Sequence, residues 1–212
     1  NLLIIDEEHK FGVRQKEQIR SLKNGINVIS LSATPIPRTL NLSLSKVRDI
    51  SLITTPPTGR KSVKTIVSRY SKSLVFEAIQ REFYRDGQVF YLLNNVSMLE
   101  EKKKEISDRF PGKKIAFAHG QLRPKELSKV MESFIRKEID LLVCTTIIES
   151  GIDIENANTL IVEESENYGL SQLHQIRGRV GRSKREAYAY FFLNENKELK
   201  NKKFSNTDNT NK

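Results

Sequence analysis

Residues 127–145, Leu-Ser-Lys-Val-Met-Glu-Ser-Phe-Ile-Arg-Lys-Glu-Ile-Asp-Leu-Leu-Val-Cys-Thr, decide the fold. In the first half, steps of three, one, three and one separate the apolar residues Leu127, Val130, Met131, Phe134 and Ile135. That spacing puts them in one stripe, which predicts an amphipathic helix packed on a core. The second half is a nearly continuous apolar run of strand length, which is typical of a buried strand. A helix that leads directly into a buried strand is one repeat of an α/β sheet.

The same alternation continues through most of the chain. Strands are predicted at residues 2–5, 28–31, 63–67, 88–93, 114–118, 141–145, 159–162 and 187–193. Helical patterns separate most of them, including an amphipathic stretch at 13–22 and a helix that begins near Arg38. We therefore expect an α/β fold, with a largely parallel sheet and helices on both of its faces. Such sheets hold ligands in loops at the ends of their strands.

Breaks in the pattern predict the domain organisation. Residues 1–54 have the pattern of the C-terminal part of one α/β domain, and residues 63–194 that of a second domain. Between them, two prolines and a glycine in residues 55–62 predict a linker, because neither a helix nor a central strand accommodates them. The polar tail, residues 195–212, is expected to be disordered. The start lacks a Met and resembles the middle of a buried strand, so we expect a fragment of a longer protein.

Composition favours a soluble protein that binds nucleic acid. The net charge is +10 with a pI near 9.6, as expected of a phosphate-binding surface, although a solvated basic surface has the same charge. No apolar run reaches the roughly 20 residues that cross a bilayer, so no membrane span is predicted. The single cysteine, Cys144, lies in an apolar run where a buried thiol is expected. A single cysteine favours a reducing, cytoplasmic location.

Two carboxylates follow the first predicted strand. Asp6 and Glu7 emerge where that strand leaves its sheet, which is where phosphoryl transfer requires acidic groups. We expect Asp6 to hold Mg²⁺ through its water shell and Glu7 to activate the attacking water. The alternative is the ordinary preference of acidic residues for the start of a helix.

Three arginines are set among two glycines in residues 175–182, Gln-Ile-Arg-Gly-Arg-Val-Gly-Arg. Glycine permits a close backbone approach, and Arg179 and Arg182 can each present a two-pronged guanidinium to a γ-phosphate. They are our candidate arginine fingers. A basic turn that contacts only solvent or acidic neighbours is the alternative.

Four segments together resemble the motifs of superfamily 2 helicases. Residues 6–9 resemble motif II, 32–34 motif III, 145–153 motif V and 175–182 motif VI, in the family order. Segments 6–14, 31–40, 144–154 and 168–182 resemble the bacterial transcription-repair coupling factors more closely, with the RecG branch-migration helicases as the alternative. The resemblance implies RecA-like domains, ATP and Mg²⁺, and double-stranded DNA as the track. It also implies RNA polymerase and excision-repair proteins as partners, bound through regions outside these residues.

The resemblance assigns further residues. For nucleic-acid contact it implies Thr34, Arg38, Gly120, Gln121, Thr145 and Thr146. For nucleotide contact it implies Gly151, Asp153 and Gln175. His119 and His174 are expected to serve structure rather than catalysis.

The phosphate-binding loop Gly-x-x-x-x-Gly-Lys-Ser/Thr is missing from these 212 residues. We therefore expect no ATP hydrolysis by this chain alone. A non-catalytic DNA-binding module stays open as an alternative, because the motif residues could serve only packing and phosphate contact. A DEAH-type RNA helicase is disfavoured by Glu8 and by the segment 35–38, which resemble the DNA translocases.

Overall fold

The computed structural model describes residues 1–7, 11–22, 25–32, 50–53, 55, 62–145 and 154–194. The chain divides into two compact units, a first unit Asn1–Thr54 and a second unit Thr55–Lys212. Several predictions lie outside the described residues: the helix near Arg38, most of the linker, the tail, and the candidates Thr34, Arg38, Thr146, Gly151 and Asp153.

In its described residues, the first unit contains two parallel strands and a helix. Strand β1 (Leu2–Asp6) pairs with β2 (Asn27–Leu31), and helix α1 (Val13–Leu22) connects them. The expectation of a buried first strand is correct only for Ile5, since Leu2 and Ile4 are more than half exposed. The physical reason is that parallel strands need cover on both faces, and the described residues of this unit supply one helix for it.

The second unit contains a six-stranded sheet whose neighbouring strands are all parallel. Its strands are β3 (Val63–Arg69), β4 (Gln88–Leu92), β5 (Ile115–Ala118), β6 (Leu141–Cys144), β7 (Ala157–Val162) and β8 (Ala187–Leu193). Its helices are α2 (Lys72–Tyr84), α3 (Leu99–Arg109), α4 (Pro124–Ile135) and α5 (Leu170–Arg177). The strand order is β3-β8-β7-β4-β6-β5.

Helices cover both faces of this sheet. Successive side chains along a strand point to opposite faces, so neighbouring residues belong to different core clusters. Phe90 belongs to the core cluster that contains Met131 and Phe134 of α4. Its neighbour Tyr91 belongs to the other cluster, with residues of α2 and α3. The predicted fold class is confirmed. One member of the predicted stripe, Ile135, is about half exposed because it lies at the last turn of α4.

The single cysteine lies in one of these buried strands. Cys144 is buried at the end of β6, as predicted, and burial raises the pKa of its thiol. A thiol that stays protonated in an apolar setting is a packing residue. Among the helices that the structure describes, none has the length and apolar character needed to span a membrane.

Candidate functional site

The candidate phosphate contacts lie where β5 and β6 end. These strands are neighbours in register, with Ala118 opposite Cys144, so the residues that follow them meet at one side of the sheet. We call this side the carboxyl edge. The Thr145 N–H donates to the Ala118 carbonyl at 3.3 Å. Gly120 and Gln121 are exposed beside it. The structure therefore brings together three of the residues predicted from sequence.

The loop after β5 leads into the start of helix α4. The Leu122 N–H donates to the His119 carbonyl at 3.1 Å, which turns the chain, and Pro124 occupies the first turn of the helix. Arg123 and Lys125 are exposed on either side of that proline. Sequence analysis did not single out these two cations, although two basic residues around a proline at a helix start are a usable signal. They add positive charge where the helix dipole is already positive.

His119 stacks on Phe117, with ring centroids 6.0 Å apart and planes 2° apart. This packing fixes the imidazole beside the exposed loop. The contact gives His119 a part in shaping the loop, independent of any chemistry at its ring nitrogens.

A partly buried polar network lies at the carboxyl edge beside β4 and β7. The Lys102 ammonium of α3 contacts Glu163 at 3.0 Å, Glu105 at 2.9 Å and the Tyr70 hydroxyl at 3.1 Å. The Tyr91 hydroxyl donates to Glu163. The network ties α3 to strands β3, β4 and β7. Sequence analysis missed it, because its members are far apart in the chain and each has an ordinary setting in sequence.

Burial and the neighbouring charges have opposite effects on the pKa of Lys102. Burial alone would lower the pKa of Lys102, but the Glu163 carboxylate and hydrogen bonds with Glu105 and Tyr70 outweigh it, so the pKa is raised. Burial, and then the nearby Glu163 charge, hold the pKa of Tyr91 well above its usual range. Lysine is therefore cationic and tyrosine neutral at physiological pH, the states that satisfy the hydrogen bonds.

The candidate arginine fingers lie at the opposite side of the sheet, which we call the amino edge. Helix α5 ends at Arg177, and a tight turn follows in which the Arg179 N–H donates to the Ile176 carbonyl at 3.0 Å. The Gly181 N–H then donates at 3.3 Å to Ala157, the first residue of β7. Arg179 and Arg182 are both half-buried on this turn. The carboxyl-edge residues and the arginines are thus separated by the length of the strands.

Two candidates lie on α5 itself. Gln175 is half-buried. The His174 Nδ1 and an Arg177 guanidinium nitrogen lie 3.2 Å apart. Burial, and then the Arg177 charge, lower the pKa of His174, so the ring is neutral near pH 7. A neutral imidazole can accept a hydrogen bond from Arg177, which suits the structural role expected for His174.

Two features of the amino edge favour glycine at position 181. Its φ of +73° is in the left-handed region, which favours glycine. A Cβ there would also lie 2.8 Å from the Ala187 Cβ and 3.0 Å from Val63 Cγ2. Because both contacts are with the first residues of strands, the neighbours cannot move without disturbing the sheet.

Substitution of Gly181 should separate these two effects. We expect Gly181→Ala to lower the free energy of unfolding by roughly 2–5 kcal/mol, the sum of a left-handed alanine and an overpacked contact. Gly112→Ala is the matched control, since Gly112 has a φ of +89° but open space around it. It should cost only about 1–2 kcal/mol. Urea unfolding of both variants measures the difference, and equal losses would contradict the packing contribution.

In the first unit, Asp6 and Glu7 lie at the end of β1. Asp6 is the last residue of the strand and is exposed. The Glu7 N–H donates to the Leu31 carbonyl at 2.9 Å, and its φ of 51° is left-handed. A non-glycine residue in this region stores strain of order 1–3 kcal/mol and is enriched at functional sites.

The donor set fits a hydrated magnesium ion rather than a protein cage. Within the described residues, no group of three or more metal-ligating side chains comes together. Mg²⁺ bound with a nucleotide needs only one or two carboxylates, because water and phosphate oxygens supply the other ligands. The exposed carboxylate of Asp6 meets that requirement.

The second unit has the RecA-like fold of a helicase motor domain. Residues 72–184 match the family model described as the helicase conserved C-terminal domain. The chain belongs to this family.

Known relatives match nearly the whole chain. The chain is 54% identical over 198 residues to the transcription-repair-coupling factor of Staphylococcus aureus strain USA300, covering 93% of this chain and 17% of that protein. Its counterpart in Staphylococcus haemolyticus is 53% identical over the same shares. The chain therefore spans about a sixth of the length of these relatives. A structure of RecG bound to a three-way DNA junction is similar at a TM-score of 0.72 and 35% identity, covering 92% of this chain and 26% of that one.

Proposed function

We propose that this chain is part of the motor of an ATP-dependent double-stranded-DNA translocase that acts in transcription-coupled DNA repair. The observation that carries the proposal is its 54% identity, over 93% of its length, to proteins named transcription-repair-coupling factors. The whole protein would displace stalled RNA polymerase and recruit excision-repair proteins in the cytoplasm, through regions outside these residues. This chain contributes the end of motor domain 1 and nearly all of motor domain 2.

In this proposal, the residues predicted from sequence have the following roles in ATP hydrolysis by the longer protein. Bound ATP and Mg²⁺ supply the γ-phosphoryl group and the cation that neutralises its oxygens. Asp6 would hold the cation through its water shell, and Glu7 would orient the attacking water. Arg179 and Arg182 donate to the γ-phosphate oxygens, where charge develops. The nucleotide is also contacted by Gly151, Asp153 and Gln175.

Nucleic-acid contact in this proposal is made at the carboxyl edge. The exposed Gly120 and Gln121 and the adjacent Thr145 offer backbone N–H and hydroxyl groups to phosphate oxygens. Thr34, Arg38 and Thr146 are proposed as further phosphate contacts. Contacts to phosphate carry no base information, so movement along the duplex is independent of sequence. The net charge of +10 predicts that binding weakens as salt rises.

A RecG-like branch-migration helicase is the second candidate, favoured by the 35% identity to RecG bound to a three-way DNA junction. A passive DNA-binding module is the third, favoured by the missing phosphate-binding loop in these 212 residues. For the chain alone, we expect DNA binding without ATP turnover. The three candidates differ in what stimulates hydrolysis by the longer protein that contains the chain.

The test compares ATP turnover of that longer protein on three nucleic acids at matched low salt. We expect a linear duplex to stimulate hydrolysis at least as strongly as a three-way junction, and single-stranded RNA to have little effect. Much stronger stimulation by the junction would favour the branch-migration helicase. Stimulation by RNA alone would identify an RNA helicase, and no hydrolysis on any substrate would leave the passive module.

A further inference from the structure

The loop that carries Arg182 is fastened to β7 on both sides of that arginine. On one side, the Gly181 N–H donates to the Ala157 carbonyl at 3.3 Å. On the other side, the Ser183 hydroxyl donates to Asn158 Oδ1 at 2.8 Å. Two successive residues of the strand thus hold the two residues that flank Arg182. The first contact uses backbone atoms only, whereas the second depends on two particular side chains.

Asn158 is placed for this contact by an irregularity in the sheet. Gln88 of β4 is opposite Ala157, but the next residue, Val89, is opposite Thr159. The paired register with β8 also begins only at Thr159. Asn158 therefore has no partner residue in the register of either neighbouring strand. Such a bulge turns a side chain away from the position that regular pairing would give it.

The Asn158 side-chain amide is buried, and both its oxygen and its nitrogen make hydrogen bonds. Its relative exposure is 0%, which is unusual for a polar side chain. Its Nδ2 donates to the Asn156 carbonyl at 3.0 Å, and its Oδ1 accepts from Ser183. The Ser183 hydroxyl oxygen also accepts from the Arg185 N–H at 3.2 Å. A buried amide oxygen that loses its donor keeps its desolvation cost, so the pair holds the loop in one arrangement.

We propose that Asn158 and Ser183 are positioning residues, which hold the backbone around Arg182 so that its guanidinium meets the γ-phosphate in the productive orientation. This proposal rests on the proposed function of Arg182. In this role the hydroxyl and the amide act on turnover through the arginine, not by direct contact with the nucleotide or the attacking water. Positioning of this kind has large effects, because a displacement of about 1 Å can cost roughly 100-fold in rate.

The experiment uses the longer protein with DNA present and measures kcat, KM for ATP and the thermal unfolding midpoint. Ser183→Ala should lower kcat roughly 10- to 100-fold while the KM stays nearly unchanged. Ser183→Thr retains the hydroxyl and should restore most of the rate. Ser71→Ala is the matched control, because it removes a serine that caps helix α2 far along the chain from the loop. It should lower the unfolding midpoint and leave kcat unchanged.

The turnover of these variants decides between a positioning role and a purely structural role of Ser183. A Ser183→Ala enzyme that turns over like Ser71→Ala would overturn the positioning role, even if its unfolding midpoint falls. Failure of Ser183→Thr to recover would also overturn it, because the hydroxyl would then not be the group that acts. Asn158→Ala should lower kcat as much as Ser183→Ala does. If Asn158→Ala does not fold, the comparison of Ser183→Ala with Ser183→Thr decides the question. Full turnover by Arg182→Ala would instead refute the proposed function.

Discussion

Arg182→Ala in the longer protein should lower DNA-stimulated ATP turnover roughly 10³-fold or more, the effect expected for an arginine that neutralises charge in phosphoryl transfer. The side chain lies half-buried on the turn after α5, between two residues that are fastened to β7. Its planar guanidinium can donate two parallel hydrogen bonds to phosphate oxygens, and alanine offers none. Single-turnover hydrolysis measured with saturating ATP and DNA tests the prediction.

Two further variants separate charge from geometry. Arg182→Lys retains the positive charge but loses the forked donor, so its rate should lie between those of the unchanged protein and Arg182→Ala. Lys184→Ala removes an exposed cation from the same loop and should leave turnover nearly unchanged. Similar losses for Lys184→Ala and Arg182→Ala would show that the loop contributes only general positive charge.

Glu7→Gln should lower turnover roughly 10²-fold or more, the usual contribution of a general base, while DNA binding is retained. Glutamine has nearly the same shape as glutamate, so the left-handed turn at φ 51° is kept. What is lost is a carboxylate that can accept a proton from water. ATP hydrolysis and DNA affinity, measured at the same ionic strength, give the two quantities.

Glu17→Gln is the control for Glu7→Gln, since Glu17 is exposed on α1 of the same unit. It makes the same chemical change away from the candidate site and should leave turnover unaltered. Glu7→Gln with undiminished turnover would contradict the role of Glu7 as the water-activating residue. A loss of both turnover and DNA affinity would point to a structural role of the turn instead.

Sequence predicted the strands well because parallel strands buried on both faces appear as continuous apolar runs. The predicted strand 187–193 coincides with β8, and the predicted strand 88–93 ends one residue after β4 does. Ends were less accurate: β7 begins at Ala157, two residues before its prediction at 159. The missed residues, Ala157 and Asn158, precede the apolar run and include a polar side chain that no strand pattern favours.

The arrangement of the strands could not be predicted in the same way. The order β3-β8-β7-β4-β6-β5 follows from contacts between residues far apart in the chain, and local periodicity does not contain them. The network of Lys102 and Glu163 is an example, because neither residue is distinctive in its own segment. Residue patterns supplied the two carboxylates and the candidate arginine fingers, and the resemblance to known motors supplied the other candidates. The structure placed the arginines and the described nucleic-acid candidates at opposite edges of the second unit's sheet.

Because the strands separate the carboxyl edge from the amino edge, the sheet of the second unit is a rigid spacer between them. Its shortest strands have four residues, so roughly 13 Å of hydrogen-bonded backbone lies between the two edges at about 3.3 Å per residue. A close-packed interior transmits strain rather than absorbing it. A displacement imposed on the arginine loop would therefore reach the predicted phosphate contacts at the carboxyl edge as a tilt or shift of the whole unit. In the proposed motor, the length of the strands would set how far a small rotation at the arginine loop is carried at the carboxyl edge.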